Sequence, residues 1–214
     1  MAVMRMVIFG ATGGIGREAV SQALEQGHEV IAIARNPDGV GRAHERLRLV
    51  KADILDASTY ERELAGASAV IGALGARGRP KAPISLCTDW AKHLIPAMQA
   101  QGVSRLVAVT AGAYVRASRP PLSFRLIRPI LLGLLRHLYD DLQRMEEIVA
   151  ASSLRWTIVR PSRLLDRPRT GKYRTAIDDL VAASMSIPRA DVADFMLKCA
   201  VGDSHLHERV SVST

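Results

Sequence analysis

Along the chain, short β-branched apolar runs alternate with stretches whose apolar residues recur at helix spacing. Arg5–Phe9, Glu29–Ala34, Arg48–Ala52, Ala69–Ala73, Arg105–Thr110, Trp156–Arg160 and Arg209–Val212 are short, nearly continuous apolar runs, as expected of strands covered on both faces. Between them, Ile15–Gln26, Ser58–Leu64, Thr88–Gln101, Tyr139–Ser152 and Arg189–Val201 follow the helical period; in the fourth, Leu142, Met145 and Val149 share one face. Gly27 and Gly102 stand where a left-handed residue closes the first and third helices. This rhythm predicts right-handed crossovers between parallel strands, and so an α/β protein with a doubly wound parallel sheet in a Rossmann-type three-layer αβα arrangement. Ligands of such sheets gather at the carboxyl ends of the strands, which makes the residues just after each strand the candidate functional positions.

The length of 214 residues suits a single domain, 1–214. The most apolar stretch, Ile130–Leu135, is bounded by Arg128 and Arg136, so no integral membrane segment is expected. Met1–Phe9 runs straight into a glycine turn and reads as a strand rather than a leader. Cys87 and Cys199 lie far apart and outside any Cys-x-x-Cys pattern, which fits a reduced, cytoplasmic protein. Six histidines show no ligand grouping beyond His205-x-His207, so no metal is expected. The net charge of +8 would attract a polyanion. With only 4% aromatic residues and no basic stretch interleaved with stacking rings, nucleic acid is not the expected partner; a phosphorylated small molecule is. A monomer or small homo-oligomer satisfies everything in the sequence.

Directly after the first strand stands Gly10-Ala11-Thr12-Gly13-Gly14-Ile15-Gly16, opening a helix. In that context Gly10 permits a sharp turn, Gly13 lets a pyrophosphate approach the backbone, and Gly16 lets the helix pack closely, while the helix N-terminus offers free amides to the anion. The spacing is Gly-x-x-Gly-x-x-Gly rather than Gly-x-Gly-x-x-Gly. After the second strand, where selectivity for NAD places an acid, stands Arg35. A carboxylate there would repel a 2′-phosphate and a guanidinium attracts it, so NADP(H) is the expected cofactor. Asp53-Ile54, after the third strand, is placed either to contact adenine or to form an Asx turn.

With this glycine loop, Arg35, Asp53-Ile54, Leu74-Gly75, Trp156-Thr157-Ile158-Val159-Arg160-Pro161 and Ile187-Pro188-Arg189-Ala190-Asp191-Val192-Ala193, the chain resembles the atypical short-chain dehydrogenase/reductases. Within them it is most similar to bacterial NAD(P)H-binding proteins related to biliverdin-IX-beta reductase, also called flavin reductase. The resemblance implies that Gly10, Thr12, Gly13, Gly14 and Ile15 hold the pyrophosphate and Arg35 the 2′-phosphate. It implies too that Asp53 and Ile54 contact adenine, and that Leu74, Gly75, Thr110 and Pro161 line the path to the nicotinamide. Two departures weigh against biliverdin as substrate: Ala111 stands where those reductases have a serine, and Pro161-Ser162-Arg163 where they have a histidine.

Classical members of the superfamily use a Tyr-x-x-x-Lys pair, whose lysine lowers the phenol pKa. Here Tyr139 is followed by Gln143. The expected acceptors are therefore those that take a hydride with little acid–base help, such as a flavin, a quinone or a similar small conjugated molecule, and the chain reads as an NADPH-dependent reductase. Thr110 would orient the ring or substrate, and Arg163 would offer positive charge to an anionic acceptor. The segment 115–137 is rich in arginine and proline and has no acidic residue; it is expected to form a lid over the substrate, with a membrane-surface helix and an oligomer contact as competing readings. The rival function is a non-catalytic NADP(H)-binding redox sensor or assembly protein.

Overall fold

The computed structural model describes residues 2–75, 80–115, 118, 122–181 and 185–214, and for 122–125 and 127 the backbone alone. The strands are β1 (Arg5–Phe9), β2 (Glu29–Ala34), β3 (Leu47–Lys51), β4 (Ala69–Gly72), β5 (Arg105–Val109), β6 (Arg155–Pro161), β7 (Arg163–Leu165), β8 (Arg174–Ile177), β9 (Ser186–Pro188) and β10 (Glu208–Ser213). The α-helices are α1 (Gly14–Glu25), α2 (Leu86–Ala100), α3 (Leu122–Leu134), α4 (Arg136–Ala150) and α5 (Arg189–Val201). Eight strands form one sheet in the order β3-β2-β1-β4-β5-β6-β10-β8. All its pairings are parallel except that of β8 with β10. The strand order reverses between β1 and β4, which is where a doubly wound sheet opens its ligand crevice.

Alternating side chains of the central strands feed two cores, one on each face. Met6, Ile8, Val30, Ala32, Ile71 and Val107 meet α1 and α5; Val7, Phe9, Ile31, Ile33, Val70 and Leu106 meet α2 and α4. The expected three-layer Rossmann architecture is thus present. Gly27 and Gly102 take positive φ, at 81° and 70°, just beyond α1 and α2.

Some elements differ from the sequence pattern. The helix expected over Ser58–Leu64 is a pair of 3-10 turns, Ala57–Thr59 and Glu61–Leu64. The Asp56 carboxylate takes up both the backbone N–H and the hydroxyl of Ser58, at 3.0 and 2.7 Å, and Tyr60 at φ −140° separates the two turns. In the basic segment, α3 starts directly after Pro120 and Pro121, keeps Pro129 inside, and stops before Leu135, at φ −114°, which caps α4. Arg128 of α3 turns inward and donates to the carbonyls of Ala113 and Tyr114, at 3.4 and 3.2 Å, tying the helix to the loop after β5. The strands β7, β8 and β9, of three or four residues each, are too short to stand out in the sequence. Among the described residues no helix is long and apolar enough to cross a membrane.

Candidate functional site

The glycine loop is built by contacts that exclude side chains. Gly10 has φ +73°, and a Cβ there would lie 2.3 Å from the Ala73 carbonyl oxygen. The Gly13 amide donates to the Gly10 carbonyl at 2.9 Å and closes the turn. A Cβ on Gly16 would lie 2.1 Å from that same Gly10 oxygen, so the missing side chain lets α1 sit directly on the turn. Gly13, the N-cap of α1, has no side chain to occupy the first-turn amides, and no acidic residue stands in that turn. Those amides have no intrahelical acceptor and carry the positive end of the helix dipole. A dinucleotide's pyrophosphate fits these donors: they are unblocked by any side-chain cap and lie at the crevice between β1 and β4.

The other predicted positions fall along the same edge. Arg35 follows β2, is exposed, and has no hydrogen bond or ion pair among the described residues. The 3-10 turn after it, Pro37–Val40, returns toward the loop: Gly39 comes so close to Thr12 that a Cβ there would lie 3.3 Å from the Thr12 methyl carbon. Asp53 is exposed and accepts the Leu55 amide at 3.0 Å, so it does form an Asx turn, while Ile54 is buried in the α2-side core. Leu74 reaches the glycine loop, its Cδ2 3.3 Å from where a Gly10 Cβ would be, and Gly75 faces open space. Pro161 ends β6 buried, its carbonyl accepting the Gly112 amide at 2.8 Å.

At the end of β5, Thr110 does not stand alone. Its hydroxyl donates to Glu146 Oε1 at 2.7 Å, and the Tyr114 hydroxyl donates to the same oxygen at 2.6 Å. Arg160 completes the cluster with Nε on Oε1 at 3.0 Å and Nη2 on Oε2, while Arg209 Nε lies 3.5 Å from Oε2. Glu146 is 3% exposed, so this carboxylate is tolerated only because guanidinium and hydroxyl donors surround it. Burial, then the Glu146 charge, pushes the Tyr114 phenol far above its ordinary pKa; burial alone raises that of Tyr139. Burial opposes ionisation of Arg160, but its bonds to Glu146 prevail and raise its pKa. Because Thr110 and Tyr114 have both committed their protons to Glu146, each can offer a neighbouring molecule lone pairs only. Tyr114, Val115, Gln143, Glu146, Glu147, Arg160, Asp178 and Arg209 surround a cavity of about 340 Å³.

The sequence assigns Thr110 to orient the ring or substrate and Arg163 to offer positive charge to an anionic acceptor. The structure sets Arg160 in Thr110's cluster instead, whereas Arg163 has an exposed side chain on β7 and uses its amide to bond the Met185 carbonyl, at 3.1 Å. Glu146, Tyr114 and Arg160 were missed. The legible signal was Glu146 itself, a carboxylate four residues after Leu142 on the face that α4 buries.

Residues 10–202 match a protein family described as NAD(P)H-binding. The chain belongs to that NAD(P)H-binding family. The matched residues include the glycine loop and the crevice between β1 and β4. An uncharacterized Mycobacterium bovis protein is 32% identical over 117 residues, covering 54% of this chain but only 13% of its own length. A 3-diazoavenalumate denitrifying reductase from a Streptomyces species is 33% identical over 128 residues, 55% of this chain and 41% of that one. In structure, a Veillonella parvula short-chain dehydrogenase/reductase determined in complex with NADP superposes with TM-score 0.79 at 16% identity, covering 100% of this chain and 95% of that one. This NAD(P)H-binding protein thus carries its glycine loop on a Rossmann fold.

Proposed function

We propose that this protein is an NADPH-dependent reductase that delivers hydride to a flavin, a quinone or a similar small conjugated acceptor. The observation that carries the reading is an uncapped α1 N-terminus on the same sheet edge as an exposed Arg35 that has no partner among the described residues. The amides suit a pyrophosphate, and the guanidinium suits the 2′-phosphate that distinguishes NADP(H) from NAD(H). Gly10, Thr12, Gly13, Gly14 and Ile15 would hold the pyrophosphate, Asp53 and Ile54 would border the adenine, and Leu74, Gly75, Thr110 and Pro161 would border the nicotinamide.

When bound, the reduced cofactor supplies a hydride. The chain's contribution is then to orient the two reactants and exclude water. With its proton given to Glu146, Thr110 keeps only lone pairs to offer, which would suit an N–H donor such as a carboxamide. Tyr139 offers no base near neutrality: burial raises its pKa, and Gln143 stands where a lysine would lower it. An acceptor that takes the hydride first and its proton from solvent needs no such base. Arg163, exposed on β7, would favour an acceptor bearing a carboxylate or phosphate, and Val115, which lines the cavity, supports a covering role for the segment it begins. The partial similarity to a reductase favours the same chemistry.

The test is NADPH oxidation with free flavin and a panel of quinones. Turnover above the cofactor's background rate is expected; tight binding without turnover on any acceptor would instead favour the redox sensor. Arg35→Asp should weaken NADP(H) and relatively favour NAD(H), and unchanged selectivity would refute the 2′-phosphate role.

A further inference from the structure

Gly14 opens α1, yet its missing side chain is not replaced by empty space for a cofactor. A Cβ there would lie 2.4 Å from Cδ and 2.8 Å from Nε of Arg189. Arg189 is the first residue of α5, and α1 and α5 pack side by side through Ile15, Ala19, Val192 and Ala193. Their register is fixed where the Gln22 amide donates to the Ala190 carbonyl at 2.9 Å. The start of α5 thus lies alongside α1, and the Arg189 side chain rests against Gly14, the first residue of that helix.

Its guanidinium has one partner among the described residues, Asp166, at 2.6 Å. The Asp166 side chain is 89% exposed and that of Arg189 29%. An ion pair so open to water is weak and easily exchanged. The loop carrying Asp166 is anchored further on by Asp191, which accepts the Thr170 and Gly171 amides at 2.7 and 2.8 Å. Asp166 is therefore a surface counter-ion held near Arg189, not a structural partner buried with it.

From this we infer that Arg189 is a second contact for the pyrophosphate, a guanidinium that leaves Asp166 when the dinucleotide enters. The inference rests on the dinucleotide reading and adds a residue to it. The α1 amides supply only partial positive charge, whereas a guanidinium brings a full one and can fork onto two phosphate oxygens. Position 14 is glycine because any side chain would displace this arginine. Arg189 acts on the part that NADP(H) and NAD(H) share, so it strengthens both without choosing between them, in contrast to Arg35.

Calorimetry on the full chain separates the two roles with four probes: NADP⁺, NAD⁺, ADP-ribose, which keeps the pyrophosphate, and 2′-AMP, which lacks it. Arg189→Leu should weaken the first three by about tenfold, equivalent to about 1.4 kcal/mol, and leave 2′-AMP unchanged. Arg35→Asp should abolish 2′-AMP binding and spare ADP-ribose. Asp166→Asn, at an exposed site that leaves the fold undisturbed, should tighten NAD⁺ and ADP-ribose severalfold by freeing the guanidinium, and it keeps the test open if Arg189→Leu folds poorly. Wild-type affinity for ADP-ribose in Arg189→Leu, an equal loss of 2′-AMP, or unchanged binding in Asp166→Asn would overturn the role of Arg189 while the cofactor site stands. If the wild-type chain binds none of the four probes, the dinucleotide reading itself fails.

Discussion

Arg160 and Glu146 are joined by a forked pair inside the protein, Nε to Oε1 at 3.0 Å and Nη2 to Oε2, with the two side chains 12% and 4% exposed. A buried pair of this kind is costly to break on one side, because the remaining charge loses its partner without regaining water. Glu146→Gln should therefore lower stability by about 3 kcal/mol in urea unfolding. Replacing both partners, Glu146→Gln with Arg160→Met, should recover part of that loss. A single variant as stable as the wild type would mean that the cluster is solvated.

The glycines separate into those the packing forbids to change and those it merely tolerates. At Gly72 a Cβ would lie 2.3 Å from the Trp90 ring, and Trp90 is fully buried, so Gly72→Ala should cost about 1–3 kcal/mol. Gly133, within α3, meets nothing within 4 Å, and Gly133→Ala should gain about 0.5–1 kcal/mol from helix propensity. Thermal unfolding of the two variants should move in opposite directions.

All four tyrosines are raised above the ordinary phenol pKa. Burial takes Tyr60 up to about 12, with Asp56 and Asp53 adding to it, and burial together with Asp194 takes Tyr173 to about 12. In the unfolded chain each phenol ionises near 10, so between about pH 10 and 12 the unfolded state binds fewer protons than the folded one. Stability contributed by these groups is whole below pH 10 and should fall as pH rises toward 12. Ultraviolet titration should show less phenolate near pH 10 in the native protein than in the unfolded chain, the difference appearing on unfolding.

Both cysteines are buried. Burial, then the Asp141 charge, takes Cys87 up to about 12, and burial takes Cys199 to about 11 despite the pull of Arg105. The thiolate is the reactive form, so at pH 8 iodoacetamide should leave the native chain unlabelled and add two groups in denaturant. Mass spectrometry of the intact chain before and after unfolding reads this directly; rapid native labelling would contradict the burial.

The strands of the central sheet and the helices packed on it were legible because each is dictated locally. A run such as Val7-Ile8-Phe9 is apolar on both faces and can only be a covered strand, and the core spacing of Leu142, Met145 and Val149 suits a helix against the sheet. The Ser58–Leu64 stretch misled because its apolar spacing is helical while the Asp56 carboxylate captures the backbone at Ser58 and shortens the turn. The ribbon of β7 and β9 and the antiparallel edge β8 carry too few residues for any period to show.

For the site the division is sharper. The sequence alone determined which backbone amides are left bare, since a glycine loop between strand and helix exposes them by backbone geometry, whatever the rest of the chain does. Only the tertiary structure decided that Thr110 answers to Glu146 and Arg160, lying 36 residues beyond it and at the end of the neighbouring strand, and that the space at Gly14 belongs to Arg189. Such contacts join residues far apart in the chain, and nothing in local spacing encodes them; they follow from how β5 and β6 pair and how α1 lies against α5.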